Sequence, residues 1–433
     1  VKEFTGMSSF RIDRARLTQG MFAPLKTADY RRLLTSNGLW WSIIFMESTA
    51  LGWLVLDLTD SAWMVALAGF CRSAPFPILG FVNGPIIDRF GRRAVIVSAQ
   101  MVNFCLYLAL SMLLWTGVLA FWHLVVGALV AGTTWALEWP ARRTLMPDLV
   151  GKALTLDAML LENMIQSVAR VLGPALAGAL IAGYGVQGCY TVMALMAGLT
   201  LAVVQTLSKQ PIPRLTTRPQ MSPWTLIGET LRYAGHHQAI LGVLLITVVM
   251  NIFIFPYMSL LSVFARDVLH QGPVGLGLLG TGSGIGAFTG LYLINRLRQR
   301  VSPGWIFAVG TCFMCLSIFA FALSRLYPLS WSMLLLAGIG QACFGSMQSS
   351  IILLTASDEM RSRAMGALVL AISADPIGKL QTGFLAERWG APTTIATQAL
   401  AAVVSIVAIV LLLPGLRTPV AAPATASPPT ASK

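Results

Sequence analysis

Five ionisable residues stand inside long apolar runs of the chain: Glu47, Arg72, Arg170, Asp375 and Lys379. A charge at mid-bilayer costs about 2.5–3.5 kcal/mol on insertion scales, so its retention points to a task. A carboxylate beside a cation suits proton transfer, because the cation holds the carboxylate ionised until another group displaces it. Glu47 lies 13 residues before Asp60, and Arg72 lies 12 after it. At the α-helical rise both sit about 18–20 Å from a turn near Asp60, level enough to pair. Asp375 and Lys379 are four apart and can pair on one helix face. Pro376 between them removes a backbone donor and can kink the helix. For Arg170 two readings stay open, a contact to a substrate anion or a structural partner of Glu162. The plain alternative for each pair is a static contact that only supports packing. Amides inside apolar runs, among them Asn163, Asn251, Gln341 and Gln348 with Gln100, Asn103 and Gln166, are candidates to line a cavity or bridge helices.

These residues need apolar helices to carry them. The chain has 433 residues, of which 56% are hydrophobic and only 11% charged. Mean hydropathy is +0.73. A soluble domain carries about a quarter charged residues, so the soluble class is excluded. A bilayer core needs about 20 apolar residues per helix. Twelve such runs, the fourth over about 119–140 with Arg142 and Arg143 in the loop beyond it, fall into an all-α membrane protein of two six-helix bundles, over 37–208 and 239–414. Residues 1–36 form a polar N-terminal segment, 209–238 a proline-bearing linker, and 415–433 a Pro/Ala/Ser-rich disordered tail.

Net charge is +13, which raises nucleic acid or anionic lipid as partners. Placement decides. With the N-terminus in the cytoplasm, 24 of the Lys and Arg residues fall on that side and three, Arg266, Arg325 and Arg388, on the other. That asymmetry is the positive-inside signal of a membrane protein with both termini cytoplasmic, and it accounts for the charge without nucleic acid. The six cysteines lie in or beside apolar runs and read as small buried hydrophobes. The CxxC spacing of Cys312 and Cys315 has no second pair or nearby His, so neither a metal nor another cofactor is expected. No G-x-x-x-x-G-K-[ST] occurs, which argues against ATP as the energy source.

The stretch "GPIIDRFGRR" between the second and third runs concentrates four charges and two glycines. It resembles the signature loop of the major facilitator superfamily, with Gly84, Asp88, Arg89, Gly91, Arg92 and Arg93 matching. The resemblance implies twelve spans in two pseudo-symmetric halves and a conformational latch. In it, Asp88 would hold the inner end of the eleventh span when the protein opens outward. Arg92 would pair with an acid on the fourth span, for which Glu138 is the natural choice. The second half carries a decayed copy, "LYLINRLRQR", where Asn295 replaces the acid.

"ARVLGPALAG" on the fifth run resembles the antiporter motif of the same superfamily, through Gly173, Pro174 and Gly178. Its small-residue face would pack closely against Gly282, Gly286 and Gly290 of the eighth run. The family fold also faces the second span towards the eleventh, so Arg72 has Asp375 as a second possible partner. "WPARRTLMPDLV", "FARDVLH" and "GFLAERWGAP" resemble the enterobactin and macrolide exporter branch. What this implies is a non-enzymatic antiporter, expected as a monomer in a bacterial inner membrane, that exports a siderophore or drug-like amphiphile in exchange for protons. The rival expectations are a nutrient importer or facilitator on the same fold, and a receptor that binds without translocating.

Overall fold

The computed structural model describes residues 22–80, 83–208, 235, 237–297, 300–356 and 360–417. Most of the expected linker and nearly all of the expected tail fall outside these. Among the described residues there is no strand; the chain is a stack of helices. Ten are long and apolar enough to cross a membrane.

The first half runs α1 (Ala28–Thr59), α2 (Ala62–Ser73), α3 (Pro75–Leu79), α4 (Asn83–Phe90), α5 (Arg92–Trp115), α6 (Phe121–Val150) and α7 (Thr155–Gln205). The second runs α8 (Gln238–Val249), α9 (Pro273–Leu297), α10 (Pro303–Leu323), α11 (Tyr327–Thr355), α12 (Arg361–Ile372), α13 (Asp375–Trp389) and α14 (Ala391–Leu412). α1 begins at Ala28, ahead of the expected 37, so Ser36 and Asn37 are helical and buried.

Three departures from regular helix matter for the site. α7 is 51 residues long, which at 1.5 Å per residue is about 75 Å, far more than a bilayer core of about 30 Å. It is two helices joined at Gly185, whose φ of 73° and ψ of 175° reverse the chain in a conformation only glycine adopts cheaply. The second departure follows α8, where Met250–Ile254 and Phe264–Val268 are π-helical and Phe255–Met258 is 3-10. π-segments recur at functional positions because they redirect side chains. The third is the break between α12 and α13 at Ser373 and Ala374, just before the helix-initiating Asp375-Pro376 pair.

α6 continues past Pro140 to Val150, beyond the expected end at 140. Proline is tolerated within membrane helices because neighbouring groups satisfy the freed backbone. Outward-facing positions such as Leu195, Val404 and Leu412 are exposed and apolar, as lipid contact requires.

Candidate functional site

A cavity of about 470 Å³ lies between the halves, within the range of small-molecule sites. Glu47, Arg72, Arg170, Asp375 and Lys379 all line it. α1 supplies Glu47 and α2 supplies Arg72. Just beyond Arg72 the helix is interrupted at Ala74 and resumes at Pro75 as α3, which also contains Pro77. Arg72 Nε donates to Glu47 Oε2 at 2.9 Å and to Oε1 at 3.2 Å. Its guanidinium also lies 5.9 Å from the Trp135 ring centroid. Lys379 Nζ and Asp375 Oδ2 are 2.7 Å apart along α13. Arg72 therefore joins Glu47, the partner on its own half. Each half brings one ion pair to a shared cavity, and both pairs are local.

Arg170 projects from α7 and stacks on Phe45, 5.6 Å from its centroid. The alternative partner, Glu162, is occupied elsewhere, accepting from Asn37 Nδ2 at 2.6 Å and Trp41 Nε1 at 2.9 Å. Of the amides, Asn251 and Gln166 line the cavity. Asn251 Nδ2 also donates to the Thr247 carbonyl at 2.8 Å. Gln348 is buried away from the cavity, donating to Thr247 Oγ1 at 2.6 Å. Gln341 and Asn163 do not line it either; Asn163 is exposed. Trp41, Phe45, Phe76, Trp135 and Trp139 form an aromatic wall on the first half.

Glycines distinguish the two ends of the cavity. At the end bearing Asp60 the halves touch. A Cβ on Gly178 of α7 would lie 2.5 Å from the Pro273 carbonyl oxygen, and one on Gly277 of α9 would strike the Pro174 carbonyl. A Cβ on Gly383 of α13 would strike Ala66 of α2. Arg266 forms an ion pair with Asp60, and its Nη1 donates to the Leu56 carbonyl at 3.1 Å. Glu387 Oε2 accepts from Ser61 Oγ and from the Trp63 N–H, both at 3.1 Å. That carboxylate caps the start of α2 from the opposite half, satisfying a helix-end donor. Towards the end bearing Asp88 such close approaches are fewer: a Cβ on Gly80 would lie 4.0 Å from Val369 of α12. A Cβ on Gly84, Gly345 or Gly366 would meet no atom within 4 Å.

The signature loop falls at this open end. Gly91, with φ of 83°, separates α4 from α5. Arg92 pairs with Asp148 of α6, not with the expected Glu138. The fourth-span acid is thus ten residues later, because α6 extends to Val150. Arg93 Nε donates to the Leu207 carbonyl at 2.8 Å and its Nη2 to Gln205 at 2.6 Å. Arg89 lies over Phe90 at 5.5 Å. Asp88 is exposed and forms no ion pair or hydrogen bond among the described residues.

Glu138 belongs to a different network. Arg142 Nε donates to Glu138 Oε1 at 2.8 Å, and Gln100 Nε2 to the same oxygen at 2.6 Å. Arg142 Nη1 donates to Ser36 Oγ at 2.7 Å and to Asn37 Oδ1. Trp40 covers the guanidinium at 4.9 Å. Arg142 is 1% exposed and Glu138 0%. Sequence reasoning placed Arg142 among the loop charges; the (i, i+4) spacing from Glu138 was the available signal.

The stretch that resembles the antiporter motif packs helices against one another. Gly173 lets α7 approach Phe45 and Ser42 of α1, whereas Pro174 and Gly178 meet α9. The α9 residues that face α7 are Gly277, Gly280 and Gly284. Gly282, Gly286 and Gly290, expected there, face Trp331, Leu335 and Ile339 of α11 instead. The two stripes lie on different faces of one glycine-rich helix.

The family described as transmembrane secretion effector, within the major facilitator superfamily, matches residues 19–429. The multidrug efflux pump Tap of Mycobacterium tuberculosis is 27% identical over 387 residues, 85% of this chain and 89% of that protein. The enterobactin exporter EntS of Salmonella typhimurium is 25% identical over 349 residues, 76% of this chain and 78% of that one. Among solved structures, the nucleoside transporter NupG superposes with a TM-score of 0.73 at 12% identity, over 89% of this chain and 99% of that chain. A bacterial homologue of the lysosomal transporter Spinster, in an inward-facing and unoccupied conformation, superposes with a TM-score of 0.66 at 15% identity, over 90% of this chain and 96% of that chain. Both structural likenesses concern the fold.

Proposed function

The chain belongs to the transmembrane secretion effector family of the major facilitator superfamily, and on that premise we propose that it is a proton-coupled antiporter exporting an amphiphilic small molecule, drug-like or siderophore-like, by alternating access. One observation carries this reading: each half contributes an ion pair, Glu47–Arg72 and Asp375–Lys379, to one cavity that is sealed at one end. The export direction draws on the similarity to two proteins named as exporters.

In this reading α7 crosses twice about Gly185, and α12 with α13 forms one interrupted crossing. The ten long apolar helices then become twelve passes, six in each half. The Asp88 end faces the cytoplasm, as the basic residues favour, and the cavity is open inward. Asp88 is free in this state and takes up the inner end of α12 when that side closes, while Arg92–Asp148 keeps the loop on its own half. The protein works as a monomer in a bacterial inner membrane.

A proton entering from outside neutralises Glu47 or Asp375, releasing Arg72 or Lys379. About 100 mV contributes roughly 2.3 kcal/mol per charge, and one pH unit roughly 1.4. One proton then sustains a substrate gradient of about 500-fold. The test is proton movement in proteoliposomes holding a pH-sensitive dye, screened against drug-like and siderophore-like amphiphiles with Glu47→Gln and Asp375→Asn beside the wild type. Flux evoked by one substrate class and lost in one variant supports the proposal and names the carrier. Substrate movement without proton flux, equal in all three proteins, refutes coupling.

A further inference from the structure

Four of the five cavity charges neutralise one another, Glu47 with Arg72 at 2.9 Å and Asp375 with Lys379 at 2.7 Å. Arg170 is left over. It donates no hydrogen bond and joins no ion pair among the described residues; its neighbours include the face of Phe45 and, in an adjoining cavity, Tyr257. A guanidinium carries five N–H donors and keeps its charge. None of its nitrogens is sealed in protein without a partner. They open onto the cavity, as its place in the lining requires.

Its position is specific. A second cavity of about 60 Å³ adjoins the first, and the two share Phe45, Ser48, Gly52, Arg170, Met258 and Ser259. Ser48 comes from α1, Arg170 from α7, and Ser259 from the turn after the 3-10 segment of the second half. The hydroxyls of Ser48 and Ser259 make no hydrogen bond among the described residues. One cation and two unengaged hydroxyls therefore line both cavities where the halves meet.

We propose that Arg170, with Ser48 and Ser259, receives an acidic group carried by the transported amphiphile, whose apolar body lies along Trp41, Trp135 and Trp139. This rests on the reading of the cavity as a transport cavity. Such a ligand cancels the one uncompensated charge and bridges both halves through its anion. A phospholipid phosphate, bound but not transported, offers the same chemistry of an anion on an apolar body, and the test separates the two sources.

The full chain in neutral detergent is titrated with dansyl-leucine and with its uncharged methyl ester, followed by energy transfer from the cavity tryptophans. The acid should bind the wild type about 10–100-fold more tightly than the ester, the range of a charge-assisted hydrogen bond. Arg170→Gln should abolish that preference, so that acid and ester bind alike. Arg170→Lys should retain part of it, and Ser48→Ala with Ser259→Ala should reduce it. If Arg170→Gln does not fold, the lysine and double-serine variants carry the test. No acid preference in the wild type, or one that survives Arg170→Gln, overturns the proposal. Displacement of the acid by phosphatidylglycerol but not phosphatidylcholine in nanodiscs, with no transport of the acid, overturns it in favour of a lipid phosphate. Proton-coupled flux of the acid untouched by Arg170→Gln sinks the anion site and leaves the antiporter reading. An Arg170-dependent preference with no proton-coupled flux of any probe does the reverse.

Discussion

The bonds inside the first half and the bonds between the halves are built differently. Within the half, Arg142, Glu138, Gln100, Asn37 and Glu162 form a continuous buried network. Between the halves, the closed end relies on glycine contacts and on Arg266 and Glu387, whose partners Asp60 and Ser61 lie at the surface. Buried ionic networks are costly to break, because loss of one member strands a charge in a dry interior. Exposed pairs contribute little and yield readily. The difference teaches that the half is made to move as a unit, and the seam is made to part.

The comparison can be broken most severely at Arg142. Arg142→Met should lower stability by about 3–5 kcal/mol, since Glu138 is left buried and unpaired. Adding Glu138→Leu should recover most of that loss. Thermal unfolding in detergent decides it, and an unshifted midpoint in the single variant would refute the rigid-half account. Gly277→Leu comes next. Its side chain would meet the Pro174 carbonyl, so the Asp60 end should no longer close. Spin-label distances across that end should widen and transport should fall to background; an unchanged distance distribution contradicts the seam assignment.

Smaller effects sharpen the contrast. Arg266→Gln or Glu387→Gln should cost about 0.2–1 kcal/mol, at most a roughly fivefold shift towards opening of the Asp60 end. The unfolding midpoint should barely change, and a large drop would mean that these residues belong to the rigid halves. Asp88→Asn should leave stability within about 0.5 kcal/mol, because Asp88 has no partner to lose in this conformation. It should nonetheless reduce the population closed at the Asp88 end, measured by spin-label distances there. An undiminished population would remove Asp88 from the latch.

Much of this arrangement was legible before any coordinates. Charge in an apolar run is conspicuous, so Glu47, Arg72, Arg170, Asp375 and Lys379 stood out, and spacing alone made both ion pairs geometrically possible. The signature loop was equally plain. What failed was direction and extent. Pro140 and two adjacent arginines read as a helix end, and α6 instead continued, burying Arg142 and moving the Arg92 partner to Asp148. Gln341 and Gln348 lie on α11, none of whose residues lines the large cavity, and an amide in an apolar run does not disclose what its helix faces. The glycines of α9 erred for the same reason: a helix with glycine on several faces presents more than one stripe, and only the neighbours select between them.

The break at Ser373 and Ala374 has a mechanical meaning. α13 packs at the Asp60 end through Gly383 against Ala66, and nearer the break through Gly378 against the Asn251 and Ile252 carbonyls. α12, on the other side of the break, borders the open end. Asp375 is the first residue of α13, directly beyond the break. In the antiporter reading proposed above, a charge created or removed there acts at the joint between the two helical pieces and not on either piece alone.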